Sequence, residues 1–302
     1  AKGKFLIPGM IDDQDHFREP GLTHKADLAT ESAASVAGGI TSFMEMPNVN
    51  PQTTNKDALK NKYGLAKDRC RANYSFYMGA TNTNIEDIKS LEVNDACGIK
   101  AFLGASTGDL LVDDPLALEL LFEHAPIIVV THCEDTPLIR ENEKKAKEKY
   151  GDDIPMSEHP YIRSDEVCYR SSSSTYELAK KYDALLHILH LTTAKEMELF
   201  SNHHRSEKRI TAEVCVHHLW FDESSYPEKG ALIKCNPAIK KKSDREALIE
   251  ALNFGKLDVI ATDHAPHTFE EKSGKYFDTP AGLPLVQHAL PILFDLARKG
   301  EI

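Results

Sequence analysis

The chain alternates short apolar segments, each typical of a buried β-strand, with longer segments of helical pattern. The predicted strands are the run that ends at His16, Ile40–Met46, Tyr74–Ala80, Gly98–Leu103, Pro126–His132, His187–Leu191, Arg209–Cys215 and Leu257–Thr262. The predicted helices are Asp27–Ala37, Pro51–Arg71, Ile85–Leu91, Pro115–Glu123, Leu138–Tyr150, Ser164–Tyr182, Ala194–Asn202, Ser243–Leu252 and Leu285–Lys299. Because strands joined by helical crossovers pair in parallel, eight such units across about 250 residues predict an α/β fold, a closed (β/α)8 TIM-type barrel. The absence of a G-x-G-x-x-G or G-K-[ST] phosphate loop disfavours a doubly wound nucleotide-binding sheet.

Composition and charge exclude several classes of function. The 302 residues carry a formal net charge of -11, and the longest basic run is Lys240–Lys242, so we expect no nucleic-acid partner. No apolar run reaches the roughly 18 residues that a membrane helix needs, so we expect no membrane partner. Six cysteines are scattered without a C-x-x-C pair, which indicates reduced thiols and a cytoplasmic protein.

The segment Ile11–Gly21 (IDDQDHFREPG) places a histidine and an arginine two residues apart at the end of the first strand. Since side chains alternate across a strand, one face should carry Asp12, Gln14, His16 and Arg18, and the other should carry Asp13, Asp15 and Phe17. His16 and Arg18 therefore point the same way.

Polar residues of metal-binding type end several of the predicted strands, where the chemistry of such barrels is found. They are His16, Lys100, His132, His190 and Asp263. A single histidine in such a position is more often a hydrogen-bonded structural residue, but five polar strand ends together favour a shared site. Imidazole and carboxylate ligands suit Zn²⁺, so the pattern predicts a metal-dependent hydrolase.

Eight segments in order give the chain a resemblance to a known family: DDQDHFREPGLTHKAD, EMPNVNPQT, GIKAFLGAS, THCED, HILHLTT, AEVCVHHL, CNPAIK and ATDHAPH. From about Ile7 to about Pro291 the chain resembles the type I dihydroorotases of the cyclic amidohydrolase superfamily. Within that superfamily, Arg18 and His267 are the features that separate dihydroorotases from dihydropyrimidinases and hydantoinases.

The resemblance implies a metal site bridged by a carboxylated lysine, here Lys100. A carbamate on Lys100 would turn a repelling ammonium into an anionic ligand with two oxygens. Metal ligands by family pattern are His132, His190 and the Lys100 carbamate for one metal, and His16, the same carbamate and Asp263 for a second. The alternative is an unmodified Lys100 paired with Asp263 or Glu45. His187 is interpreted as structural, and His217 and His218 are not assigned to the metal.

The resemblance also implies a reaction and a substrate pocket. Water activated by the metal would attack the ring amide of dihydroorotate, with Asp263 as general acid/base, and the reverse reaction would cyclise N-carbamoyl-L-aspartate for pyrimidine synthesis. Arg18 is expected to hold the substrate carboxylate with its planar fork. By resemblance Asn48 and His267 complete this clamp and Asn236 contacts the ring, although the asparagines could equally serve their own turns.

Gln14 is a departure from the family, whose opening motif is H-x-H. A neutral amide oxygen is a poor ligand for zinc, and Asp15 should face away from His16. We therefore expect one firmly held zinc and a second position that is weak or empty.

Several alternatives remain open at this stage. The chain could be a non-catalytic scaffold for aspartate carbamoyltransferase, which Gln14 favours, or a hydantoinase or allantoinase, of which Arg18 disfavours the first.

We expect one barrel domain over residues 1–302, a truncated chain that lacks most of the family's accessory β-sandwich. A homodimer or an association with aspartate carbamoyltransferase is a further expectation. The polar segment Thr268–Pro284 is either a mobile active-site loop or an ordinary surface loop.

Overall fold

A computed structural model of the chain describes residues 2–4, 6–104 and 110–302. Its eight strands are β1 Met10–Asp15, β2 Ile40–Glu45, β3 Asn73–Gly79, β4 Gly98–Phe102, β5 Val129–His132, β6 Leu186–Ile188, β7 Ile210–Cys215 and β8 Val259–Ala261. Neighbouring strands pair in parallel and in sequence order. The predicted (β/α)8 barrel is confirmed.

The α-helices lie between and after the strands. They are α1 Leu28–Ala37, α2 Lys56–Ala66, α3 Ile85–Lys89, α4 Pro115–His124, α5 Thr136–Tyr150, α6 His159–Ile162, α7 Asp165–Lys181, α8 Val216–Trp220, α9 Tyr226–Lys229, α10 Lys242–Asn253 and α11 Ala289–Lys299. In the part of the chain that the structure describes, no helix has both the length and the apolar character needed to cross a membrane.

Side chains and main chain together close the barrel between β8 and β1. The Asp12 carboxylate accepts hydrogen bonds from the Thr262 main-chain N–H and hydroxyl at 3.1 and 2.6 Å. Directly above this contact, the N–H of His16 donates to the carbonyl of His264 at 2.7 Å. The first and last strands are therefore joined where the sequence places its polar strand ends.

Local sequence signals explain the helix ends. Asp27 caps α1 by accepting from the N–H groups of Ala29 and Thr30, and Gly38 ends that helix. Asn55 caps α2 by accepting from the N–H group of Ala58. The strands and helices enclose one large apolar core in which Ile99, for example, is fully buried.

Several predicted elements differ from the structure, among them the helix predicted for Pro51–Arg71, which spans only Lys56–Ala66. The predicted helix Ala194–Asn202 is wrong, because the segment contains only a 3-10 turn at Glu196–Glu198. The Glu196 carboxylate accepts from the N–H groups of Thr192 and Thr193, so side-chain capping replaces helical hydrogen bonding there. The strand predicted for Pro126–His132 begins only at Val129.

Candidate active site

A pocket opens at the carboxyl ends of the strands and encloses about 500 Å³ including its mouth. Among the residues that the structure describes, nine polar ones line it, namely Gln14, His16, Arg18, Asn48, Lys100, His132, His190, Asn236 and Asp263. Every residue proposed from the sequence is among them except His267. Strands β1, β4, β5, β6 and β8 or the residues just after them supply the metal-type side chains, as expected for a barrel of this class.

His16 and Asp263 form the first pair of metal-type ligands. His16 Nε2 lies 3.1 Å from Asp263 Oδ1, while its Nδ1 lies 2.7 Å from the Asn48 side-chain oxygen. Because that oxygen only accepts, Nδ1 carries the proton and a neutral His16 turns the lone pair of Nε2 toward a carboxylate oxygen. Burial lowers the pKa of His16, which favours this neutral form. Such a pair suits a cation.

His132 and His190 form the second pair. His132 Nδ1 lies 2.9 Å from His190 Nε2, and His132 Nε2 donates to Glu134 Oε2 at 2.8 Å. The guanidinium of Arg163 in turn binds the same Glu134 oxygen. A carboxylate that orients a histidine through its other ring nitrogen is the arrangement found around metal ligands, where it fixes the tautomer and ring plane.

Lys100 is the common neighbour of both pairs. It is fully buried, and burial lowers its pKa to about 8 despite the opposing charge of Asp263. Its charge acts on His16 and Asp263 as well as on His132 and His190. The alternative of a Lys100–Glu45 ion pair is wrong, because Glu45 is paired with Lys62 at 3.1 Å.

The donor atoms of His16, Asp263, His132 and His190 lie too far apart to form one coordination sphere unless Lys100 joins them. Among residues 2–4, 6–104 and 110–302, no three His, Cys, Asp or Glu donors of this pocket lie within 4.8 Å of one another. The family resemblance implies that Lys100 is shared between two metals. The donor set of three imidazoles, one carboxylate and a buried lysine fits a divalent cation, provided that the lysine contributes an oxygen ligand.

Gln14 occupies the floor of the pocket beside Asp263. Its side-chain N–H donates to Asp263 Oδ1 at 3.1 Å, and its oxygen lies 3.8 Å from the sulfur of Cys215. A donor therefore faces the carboxylate at the position where the resemblance implies a histidine. Asp15 does not line the pocket, in agreement with the prediction that it faces away from His16. It accepts a hydrogen bond from the Thr262 hydroxyl at 3.4 Å.

Arg18 lies at the wall of the pocket, and hydrogen bonds to Pro266 and His267 fix its guanidinium. Its Nε donates to the carbonyl of Pro266 at 3.1 Å and its Nη2 donates to His267 Nε2 at 3.0 Å. Burial lowers the pKa of Arg18 to about 10, so the side chain keeps its charge at neutral pH. Burial and the neighbouring Arg18 lower the pKa of His267 to about 3, so His267 is a neutral acceptor that supports Arg18 from outside the pocket lining.

Asn236 offers an unused hydrogen-bonding group. It lines the pocket, and its side-chain oxygen is shielded from solvent without a partner among the described residues. Buried acceptors without partners are uncommon in native structures, and one that faces a pocket is suited to a ligand. Asn48, by contrast, already uses its oxygen on His16.

Three residues of the site have left-handed backbone conformations. The φ angles are +70° at Arg18, +35° at His190 and +46° at Asp263. In non-glycine residues this region costs of order 1–3 kcal/mol, and such residues cluster at functional sites. Each of the three comes two or three residues after the end of a strand, and each side chain lines the pocket.

The segment Thr268–Pro284 is packed against the barrel and contributes Ala281 and Gly282 to the pocket wall. Lys272 is buried and donates to three main-chain carbonyls, those of Lys234, Pro280 and Gly282, at 3.0–3.1 Å. The observed contacts are those of an anchored active-site wall.

Sequence reasoning missed Arg163 and the role of Glu134. Glu134 comes two residues after His132 in the THCED segment, so the sequence could have predicted that it lies near the site. Arg163 comes from the end of α6, and nothing in its local sequence predicts its contact with Glu134. Residues 105–106 of the GIKAFLGAS segment lie outside the described residues.

The predicted alternation of β1 holds only in part. Asp12 pairs with Phe43 and Asp15 with Glu45, so β1 advances three residues while β2 advances two. This irregularity turns Asp13 as well as Gln14 into the barrel interior, where Asp13 meets His187. His187 does not line the pocket, as expected.

The family model and the similar sequences described below all belong to the dihydroorotases. A family model described as Dihydro-orotase-like matches residues 3–143. The dihydroorotase of Bacillus cytotoxicus is 32% identical over 317 aligned residues that cover 100% of this chain and 70% of that protein. The dihydroorotase of Methanothermobacter thermautotrophicus is 30% identical and is matched over 100% of this chain and 67% of its own length.

Comparison with solved structures gives the same fold. The L-hydantoinase (dihydropyrimidinase) from Arthrobacter aurescens superposes with a TM-score of 0.93 at 23% identity, covering 100% of this chain and 68% of that one. The dihydropyrimidinase from Brevibacillus agri gives a TM-score of 0.86 at 23% identity, with 98% and 67% covered. At these identities the likeness concerns the fold alone.

Proposed function

Because this chain belongs to the dihydroorotase family of cyclic amidohydrolases, we propose that it catalyses the reversible hydrolysis of the ring amide of (S)-dihydroorotate to N-carbamoyl-L-aspartate, a step of pyrimidine (UMP) biosynthesis. The observation that carries the proposal is that Arg18 shares one pocket with the metal-type pairs His16–Asp263 and His132–His190. A guanidinium beside a hydrolytic centre is what a cyclic amide bearing a carboxylate requires.

We infer that the pocket holds Zn²⁺ through His132, His190 and a carbamate on Lys100, with His16 and Asp263 facing a second position. A pKa of about 8 leaves part of Lys100 as the neutral amine that carbamate formation needs. Bound Zn²⁺ would supply Lewis acidity and lower the pKa of a water near the ring amide. Because Gln14 directs a donor at Asp263, the second position is weak or empty.

Asp263 is the proposed general acid/base. Although burial opposes ionisation, the neighbouring side chains of His16, His217 and Lys100 outweigh it and lower the pKa of Asp263, so the carboxylate is ionised and can accept a proton. In ring opening it would accept the proton of the attacking water and pass it to the departing ring nitrogen. In ring closure the same group would move the proton in the opposite direction.

Arg18 is the proposed substrate clamp, with Asn48, Asn236 and His267 in support. Two of its donors are fixed on Pro266 and His267, so the guanidinium is oriented before substrate arrives. The unpartnered Asn236 oxygen is placed to accept from a ring N–H. His267 would act through Arg18 rather than on the substrate directly.

A substrate panel on the zinc-loaded protein tests the proposal. We expect turnover of (S)-dihydroorotate to exceed that of dihydrouracil, hydantoin and allantoin, because those three lack a carboxylate for Arg18. Faster turnover of hydantoin or allantoin than of (S)-dihydroorotate would contradict the proposed function. No turnover of any of the four by protein that retains zinc would instead support a scaffold for aspartate carbamoyltransferase.

The remaining expectations concern location and assembly. All six cysteines are free of disulfides, which supports a reducing, cytoplasmic compartment. We propose a small-molecule substrate as the main partner, with a homodimer or an aspartate carbamoyltransferase complex as the assemblies to test by size measurements.

A further inference from the structure

A second cluster of metal-type side chains lies inside the barrel, below the pocket. It consists of Asp13 on β1, His187 on β6 and Glu213 on β7. These residues come one or two positions before the ends of their strands, so the cluster forms the layer beneath the pocket floor. None of the three lines the pocket described above.

The distances between the ligand atoms match those of a small coordination sphere. His187 Nε2 lies 3.3 Å from Glu213 Oε2 and 3.5 Å from Asp13 Oδ2. Metal–ligand bonds of about 2.0–2.2 Å, as in tetrahedral zinc sites, place neighbouring ligand atoms about 3.3–3.6 Å apart. Both measured edges fall in this range.

The hydrogen bonding around His187 directs a lone pair into the cluster. The Thr211 hydroxyl donates to the carbonyl of Leu186 at 3.4 Å, so its oxygen accepts from His187 Nδ1 at 2.7 Å. With the proton on Nδ1, a neutral His187 turns the lone pair of Nε2 toward two carboxylate oxygens. A fixed outer partner of this kind is typical of a metal-binding histidine.

Asp13 brings an unpartnered carboxylate oxygen to the cluster. Its Oδ1 is shielded from solvent and has no hydrogen-bond partner among the described residues. The side chain as a whole keeps 17% of its exposure, so the cluster is not sealed against exchange with solvent. The cations whose charge reaches the cluster are Lys100 and Arg205, and neither forms an ion pair with Asp13 or Glu213 within the described residues.

We propose that Asp13, His187 and Glu213 form a second metal site, separate from the catalytic pocket, that binds a zinc-class divalent cation. Two carboxylates and one imidazole suit such ions, with water in the remaining position. Glu213 also accepts the main-chain N–H of His190 at 3.0 Å through its other oxygen. A cation here therefore links three strands and supports the segment that carries His190.

Crystals of the whole protein equilibrated with ZnCl₂ test the site directly. Anomalous diffraction at the zinc edge should give a peak in contact with all three side chains, distinct from any peak beside Lys100. Zinc found only in the pocket, or nowhere, would overturn the proposal. Because the two positions are resolved separately, failure of this site leaves the proposed function untouched, and the reverse also holds.

Metal counting on variants gives a second readout. Asp13→Asn is isosteric, and His187→Gln removes the nitrogen ligand, so each should bind one equivalent of zinc fewer than wild type after equilibrium dialysis. Asp87→Asn, on the exposed side of α3, is the control for lost charge and should match wild type. Wild-type stoichiometry in folded Asp13→Asn protein would refute the site. If the variants do not fold, the anomalous peak in wild-type crystals decides.

Discussion

Replacing Arg18 by alanine should change substrate selection far more than stability. The guanidinium is buried at the pocket wall, with Nε fixed on Pro266 and Nη2 fixed on His267. A charge-assisted hydrogen bond contributes roughly 1.5–3 kcal/mol, so loss of a two-point contact with a carboxylate should cost about 3–4 kcal/mol. Since about 1.4 kcal/mol corresponds to a factor of ten, kcat/KM for dihydroorotate should fall about 100- to 1000-fold.

The assay compares dihydroorotate with dihydrouracil, which lacks the carboxylate, on the same preparations. The ratio of the two kcat/KM values should collapse in Arg18→Ala and recover only in part in Arg18→Lys, because an ammonium cannot reproduce the planar fork. Arg170→Ala is the matched control, since Arg170 is an exposed arginine that pairs with Glu166 on α7. Equal losses on both substrates in Arg18→Ala would refute the clamp and assign Arg18 a structural role.

Four further changes have defined outcomes. Asp263→Asn should lower turnover of dihydroorotate about 100- to 10,000-fold with zinc retained by elemental analysis, and near wild-type turnover would remove Asp263 from the proton path. Gln14→His should add close to one equivalent of tightly held zinc; unchanged metal content would show that Gln14 does not limit the second position. Although burial opposes ionisation, Arg163 and His132 hold the pKa of Glu134 at about 2. The ionised carboxylate therefore stabilises the fold above the unfolded pKa of about 4.5, and this stabilisation is lost as the pH falls toward 2. In urea unfolding, wild type should be more stable than Glu134→Gln by an amount that shrinks between pH 6 and pH 3, and a constant difference would argue against this. Lys272→Met should cost about 2–4 kcal/mol in urea unfolding and raise KM, because three carbonyls behind the pocket wall lose their donor, and unchanged values of both would contradict the anchoring role.

The barrel was predictable because its strands are short apolar runs with helical crossovers between them. Strand positions agree to within a few residues, and the polar side chains at the strand ends gather in one pocket because parallel strands share one carboxyl edge. The helix predicted at Ala194–Asn202 failed since Glu196 satisfies the local N–H groups with its side chain, which a periodicity argument cannot detect.

The strand pattern predicted the site residues that lie on or just after a strand, whereas Asn236, which lines the pocket from a loop, was predicted by the family resemblance alone. The extra residue in β1 turned Asp13 inward against strict alternation, and register irregularities of this kind depend on the partner strand rather than on local sequence. Arg163 reaches Glu134 from the end of α6, a long-range contact without a local signal. The position of His267 behind Arg18 likewise depends on how the segment after β8 packs, not on its spacing from Asp263.

A crystal structure of the zinc-loaded protein with dihydroorotate tests the central claim most directly. We predict zinc in contact with His132, His190 and a modified Lys100, with the substrate carboxylate on the guanidinium of Arg18 and Asp263 beside the ring amide. Zinc absent from these side chains, or a substrate carboxylate bound away from Arg18, would contradict the account.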